Sequence, residues 1–161
     1  MGLSRRTQHF LGFFVCVALL AAAYYFQFAQ NLEPCPLCIF QRVGVAAVGL
    51  VFLIAALHNP SGWGQRVYGL LALLAAGLGG AVAGRHVWLM SLPKDEVPAC
   101  GPGLNYLLDN FPLSKVFDTV LRGSGECAEQ SWAFLGLSMP AWVLVFFVAF
   151  GLVGLARLAG R

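Results

Sequence analysis

The sequence predicts an all-α membrane protein: a bundle of four transmembrane helices with a long outer loop that carries a short amphipathic helix. Three observations predict it. Hydrophobic residues make up 59% of the chain and charged residues only 11%, with a mean hydropathy of +0.76. The apolar residues gather in four runs, each close to the ~20 residues that take a helix across a ~30 Å hydrocarbon core. All seven acidic residues fall in two of the intervening loops. At 161 residues the chain reads as a single membrane domain, 1–161.

The spans are expected at about 10–28, 39–57, 67–90 and 139–158, with loops 29–38 and 91–138 on one side. The first run follows Arg5 and Arg6 and contains the triplet Ala21-Ala22-Ala23, so a signal peptide is the alternative. Against that, the run exceeds the usual apolar region of about 7–15 residues, and it ends in "YYFQF" at 24–28, which suits an interfacial aromatic belt. The second run opens at Ile39, directly after a C-x-x-C pair. The third holds "AAGLGGAVAG" (75–84), whose Gly80-x-x-x-Gly84 is read as a close helix-packing motif. The fourth begins at Met139. In the long loop, Leu113, Val116, Phe117, Val120 and Leu121 recur at i, i+3, i+4, i+7 and i+8, the pattern of an amphipathic helix lying on the membrane or packed on the protein.

Charge sets the orientation. The N-terminus, the 58–66 loop and the C-terminal tail carry Arg5, Arg6, Arg66, Arg157 and Arg161 and no acid. Glu33, Asp95, Glu96, Asp109, Asp118, Glu126 and Glu129 all fall on the other side. Excess Lys and Arg at span ends marks the cytoplasmic face, so both termini are expected there. Trp88, Trp132 and Trp142 then lie near the outer boundary and Trp63 near the inner one. No basic cluster of the kind that holds a phosphate backbone occurs, so no nucleic-acid partner is expected. His9 and His58 read as interfacial.

Cys16 lies deep in the first run and reads as a small apolar packing residue. Cys35, Cys38, Cys100 and Cys127 all fall on the outer side, where disulfides persist if the compartment is a periplasm. Four cysteines allow three pairings. A structural staple fits Cys100 with Cys127, which would close a long loop, but closing Cys35 with Cys38 removes little entropy. A structural zinc site often uses two C-x-x-C knuckles; one knuckle with two isolated cysteines argues against it, and no metal is expected. A redox pair is the favoured reading of Cys35-x-x-Cys38. Cys100 lies in the Pro- and Gly-broken "VPACGPG", and Cys127 follows the flexible "GSGE", flanks suited to a disulfide that opens and exchanges.

Cys38 is expected at the N-terminus of the second helix, where the helix dipole favours a thiolate. Arg42, four residues on, shares its face. An ionisable residue at that depth is functional by default, with snorkelling as its alternative. Gln41 lies on another face and is given no role. His86 sits a few residues inside the outer end of the third span, at a depth similar to Arg42, and either packs or binds a ligand; Arg85 snorkels. These parts suit an apolar, carbonyl-bearing molecule in the membrane, and a quinone fits: its ring against Cys38, its oxygens polarised by Arg42 and His86.

"PCPLCIFQR" (34–42) and "GECAEQSWAFLGLSMPAW" (125–142), with four spans and a long outer loop, resemble the disulfide bond formation protein B (DsbB) family over essentially the whole chain. The resemblance implies a protein-disulfide:quinone oxidoreductase of the bacterial inner membrane. It would reoxidise a soluble periplasmic, DsbA-like thiol oxidase and sustain disulfide formation, feeding electrons to the respiratory chain through ubiquinone, with menaquinone as the alternative. It implies disulfides Cys35–Cys38 and Cys100–Cys127. Cys100 would form the mixed disulfide with the partner, Cys127 would attack the Cys35–Cys38 bridge at Cys35, and Cys38 would face the quinone beside Arg42 and His86. Two rivals are weighed. A vitamin K epoxide reductase-like protein would carry its C-x-x-C near the outer end of a late span, whereas here it opens the second. A membrane scaffold with structural disulfides would show no quinone reduction.

Overall fold

The computed structural model describes residues 4–93, 95–97, 99, 104–123, 125–128 and 132–160, and only the backbone of Asn105 and Glu126. Its elements are α1 (Arg5–Ala29), α2 (Pro36–His58), α3 (Trp63–Met90), α4 (Leu104–Asn110), α5 (Leu113–Arg122), α6 (Gly125–Ala128), β1 (Ala133–Phe134), β2 (Leu137–Ser138) and α7 (Met139–Leu158). The helices α1, α2, α3 and α7 are long and apolar enough to cross a membrane. Each expected span is therefore a helix. The first and third begin earlier than hydropathy alone implies, because backbone hydrogen bonding carries a helix through polar residues such as Arg5–His9 and Gln65–Arg66 into the headgroup region.

Local chemistry sets the ends of α2. Cys35 is its N-cap, with Sγ accepting from the Cys38 amide, and Pro36 occupies the first turn, where no N–H is needed. Asn59 ends the helix in the left-handed conformation (φ 44°) and returns its N–H to the Ala55 carbonyl.

The helices pack in the order α1, α2, α3, α7, with α3 against α7 the most extensive contact. The buried face of α3 is Gln65, Gly69, Ala72, Ala76, Gly79, Ala83, His86 and Leu89, a 3.5-residue repeat of small side chains with a polar residue near each end. This corrects the expectation for Gly80-x-x-x-Gly84. A Cβ on Gly84 would meet nothing within 4 Å, and one on Gly80 only an ordinary contact at 3.5 Å. The tight positions lie one residue over. A Cβ on Gly79 would come within 2.3 Å of Phe147, and those on Gly69 and Gly154 would each reach the other's carbonyl oxygen at 2.8 Å. Phe147 fills the groove that the missing side chains leave. Cys16, Val45, Val48, Phe52, Ala72, Ala76 and Phe150 complete this core, and Cys16 is the packing residue expected. His9 is a correction: it is buried rather than interfacial, against Phe52 and 3.4 Å from Gln65 Oε1.

A second cluster caps the opposite end of the bundle. Cys35, Leu37, Leu89, Leu107, Val116, Val120 and Cys127 bury one another there. The amphipathic helix falls where its periodicity predicts, as α5. It packs on protein through Val116 and Val120 while Leu113, Phe117 and Leu121 stay exposed. Arg85 does more than snorkel. Its guanidinium donates to the carbonyls of Leu121 (3.1 Å) and Arg122 (3.0 Å), closing the last turn of α5, and stacks on Trp88. After α6, the antiparallel pair β1–β2 turns through Leu135 and Gly136, both at positive φ, and leads into α7.

Candidate active site

The thiols meet at the α2 N-terminus. Cys35 Sγ donates to Cys38 Sγ at 3.1 Å, a hydrogen-bond contact rather than the covalent bond of about 2.0 Å. As thiols the two sulfurs are in hydrogen-bond contact, near enough for the expected bridge to form between them. The α2 N-cap fold brings both sulfurs to one helix end, with Cys38 in the first turn near the N–H groups that favour a thiolate.

Cys127 arrives from the long loop. It lies in the short helix α6 and is 1% exposed, so the segment after "GSGE" is ordered against the bundle rather than loose. Cys35 Sγ, Cys127 Sγ and a ring nitrogen of His86 lie within 4.8 Å of one another, a donor set that could hold a soft cation as well as exchange disulfides. Hydrogen bonding to Cys127 and Cys38, and then burial, push the Cys35 thiol well above the ordinary thiol range. In the dithiol state Cys35 therefore keeps its proton, and nucleophilic character falls to its neighbours. Cys100 lies outside the described residues, and with it the expected Cys100–Cys127 pair.

His86 ties these pieces together. Gln41 Nε2 donates to His86 Nδ1 at 2.8 Å, which leaves Nε2–H to donate to the Cys127 carbonyl at 3.0 Å. His86 Nε2 is also 3.8 Å from Cys35 Sγ, and Nδ1 is 4.0 Å from Cys38 Sγ. Gln41 is buried, and sequence reading assigned it nothing. The signal was present: Leu37, Gln41, Val45 and Val48 form the inward stripe of α2, and a polar residue on such a stripe needs a buried partner.

Arg42 points the other way. Its guanidinium donates to Gln27 Oε1, donates to the Ala23 carbonyl at 3.1 Å, and lies over the Tyr24 ring at 5.1 Å. It is thus anchored to α1 rather than simply reaching for the headgroups. Beside it a cleft opens between α1, α2 and α7. Leu19, Leu20, Ala23, Val45 and Val143 make apolar walls, and Glu33, Cys38, Gln41 and Arg42 supply the polar edge. The cleft holds about 90 Å³ and shares Leu19, Ala23, Phe26, Met139 and Val143 with a nearly all-apolar cavity of about 290 Å³ under Trp132 and Trp142. The β1–β2 turn seats that aromatic roof: Phe26, Trp132, Phe134 and Trp142 pack in series, and Trp142 Nε1 donates to the Phe134 carbonyl at 3.0 Å. Arg42 and Cys38 thus share the cleft, whereas His86 does not line it and sits on the Cys127 side of Cys38.

Comparison with known proteins adds an independent line. A family model described as Disulfide bond formation protein DsbB matches residues 5–156. A protein of Nitrosococcus oceani named Disulfide bond formation protein B is 60% identical over 155 residues, which cover 96% of this chain and 92% of its own. Proteins of the same name from Methylococcus capsulatus and Marinobacter nauticus are 57% identical over 154 residues and 55% identical over 145. Those alignments cover 96% and 90% of this chain and 94% and 86% of theirs.

Proposed function

This chain belongs to the disulfide bond formation protein DsbB family, and from that premise we propose that it reoxidises a soluble periplasmic, DsbA-like thiol oxidase and passes the two electrons to a membrane quinone. One observation carries the reading. Cys127, from the loop, is buried beside Cys35, while Cys38, hydrogen-bonded to Cys35, lines a largely apolar cleft with Arg42.

The route follows from which sulfurs can meet. A partner thiolate attacks Cys100, releasing Cys127; Cys127 attacks Cys35 of the oxidised C-x-x-C pair and Cys38 leaves as thiolate; the partner's second thiol then displaces Cys100, which attacks Cys127 and frees Cys35, so that Cys35 and Cys38 carry the two electrons as a dithiol. Cys38 is the fitting leaving group because the first turn of α2 stabilises its charge. Gln41 and His86 hold the Cys127 backbone in reach of Cys35 throughout. His86, 4.0 Å from Cys38 Sγ, serves the acceptor side through that sulfur rather than from the cleft wall.

The cleft suits a quinone, being apolar on its walls, sharing walls with a larger apolar cavity, and polar at Glu33, Cys38, Gln41 and Arg42. Arg42 would hold the carbonyl end and Leu19, Ala23 and Val143 the ring faces. A quinone bound there supplies a sink for two electrons and two protons. The net reaction is partner dithiol plus quinone to partner disulfide plus quinol, with both cysteine pairs of this chain restored. Ubiquinone is the acceptor we favour, in a bacterial inner membrane with the cysteines periplasmic.

Purified protein given reduced partner should bleach a soluble quinone analogue, and Cys38→Ser should abolish the signal. Turnover surviving in Cys38→Ser would sink the assignment. Arg42→Ala should weaken quinone use more than single-turnover oxidation of the partner by the loop pair. Equal losses in both would make Arg42 structural.

A further inference from the structure

Three metal-ligating side chains converge at the loop end of the bundle from three separate segments: Cys35 from the cap of α2, His86 from α3 and Cys127 from α6. Their ligand atoms lie within 4.8 Å of one another. Exchange between Cys127 and Cys35 needs two sulfurs in reach and no imidazole beside them. We propose that in the fully reduced chain Cys35, Cys127 and His86 bind one thiophilic divalent cation, zinc in the first place, and that the ion holds both sulfurs out of disulfide exchange.

The donor set argues for it. Zinc takes thiolate sulfur at about 2.3 Å and imidazole nitrogen at about 2.0–2.1 Å, so two ligands on one tetrahedral ion stand about 3.6–3.8 Å apart. Cys35 Sγ and His86 Nε2 are already 3.8 Å apart. The set as a whole fits inside 4.8 Å, so closing by about 1 Å completes the grip. The spacing of the cysteines argues against a structural site of four sulfurs; the set assembled here has three protein ligands and leaves a fourth position for water. A hydrogen-bonded thiol remains a ligand, because the metal takes the place of its proton. Binding breaks two S–H bonds, forms two S–Zn bonds and one N–Zn bond, and releases two protons; no electron moves. A dication between two thiolates is neutral, which suits a site where Cys35 and Cys127 are both buried.

Gln41 supplies the outer contact. A ligating histidine donates its other ring N–H to an acceptor. Bound through Nε2, His86 carries its proton on Nδ1, and Gln41, 2.8 Å from that nitrogen, accepts it by turning its amide over. The ring then releases the Cys127 carbonyl, 3.0 Å from Nε2, and the metal holds Cys127 by its sulfur instead. Cys38 stays outside the set, 4.0 Å from Nδ1, the nitrogen that faces away from the ion. Oxidation abolishes the site, since a bridge at Cys35 or at Cys127 removes a thiolate.

The test titrates zinc alone into the full chain in detergent, under a phosphine reductant and against a chromogenic zinc indicator. Reduced wild type should bind one zinc per chain, at least about tenfold more tightly than the same protein oxidised at both cysteine pairs. Cys35→Ser, Cys127→Ser and His86→Gln should each weaken binding by about tenfold or more, and Gln41→Leu by about tenfold. Cys38→Ser and Cys100→Ser should keep it. Binding that is lost in Cys38→Ser and kept in Cys127→Ser would put the ion on the C-x-x-C pair alone and overturn the proposal. Equal affinity of the oxidised and reduced protein would overturn it too. Should His86→Gln fail to fold, Cys35→Ser and Cys127→Ser decide. Neither quinone nor partner protein enters the titration, so its outcome stands apart from that of the quinone assay.

Discussion

Gln41 and His86 meet across the α2–α3 seam, and what they hold is a backbone carbonyl rather than a substrate. The amide fixes the tautomer of the ring, and the ring's other nitrogen fixes Cys127. Removing the amide leaves a buried imidazole nitrogen unpaired, at a cost of about 1–3 kcal/mol. Gln41→Leu should therefore lower stability by that order. It should also slow transfer from Cys127 to the C-x-x-C pair, read by rapid acid quench and gel separation of the disulfide species. Gln41→Glu keeps the bond only when its carboxyl or Nδ1 carries an added proton, so its rate should fall between those of wild type and Gln41→Leu. Transfer in Gln41→Leu at the wild-type rate would show that Cys127 docks without this relay. Arg42 differs in kind: α1 holds it from three directions, so its position belongs to the cleft and not to the thiols.

At the scale of elements, the α3–α7 crossing decides where the upper site sits. The small-residue repeat that lets α7 approach continues directly into His86, so packing and site share one stripe of α3. Gly79→Ala would drive a methyl into the Phe147 ring, and overpacking of this kind costs about 1–3 kcal/mol. Gly84→Ala meets open space and should be neutral or slightly stabilising, since alanine is the better helix former. Thermal unfolding of the two variants in one detergent measures the contrast. Comparable losses would show that the seam runs through Gly84 after all. Hydropathy and periodicity located all four spans and α5, but not α4, α6 or the β1–β2 turn. Those are short pieces whose form depends on what they lie against: α6 is ordered with Cys127 packed among Cys35 and Leu89, which lie far from it in sequence.

For the whole molecule, charge and thiols are segregated to opposite ends. Among the described residues, Glu33, Asp95, Glu96, Asp109 and Asp118 and the cysteines Cys35, Cys38 and Cys127 lie toward one end, and Arg5, Arg66 and Arg157 toward the other. With positive charge retained in the cytoplasm, a reporter enzyme active only outside should be silent when fused after Leu158 and active when inserted at the 95–97 turn. The reverse pattern would invert the orientation and remove the thiols from an oxidising compartment.

Much of this protein was determined by the sequence alone. Four apolar runs, a C-x-x-C at a span edge and the placement of Arg42 four residues beyond it are local facts, set by composition and helical repeat. They suffice for the fold class and for the residues at which chemistry is concentrated. Only the tertiary structure decided that Arg42 and His86 fall on opposite sides of Cys38, that Gln41 is the residue linking His86 to the loop, and that Gly79 rather than Gly80 sets the α3–α7 approach. Each depends on the rotation of one helix against another. That rotation is fixed by side chains far apart in sequence, such as Phe147 filling the groove at Gly79, and no single helix carries it in its own pattern.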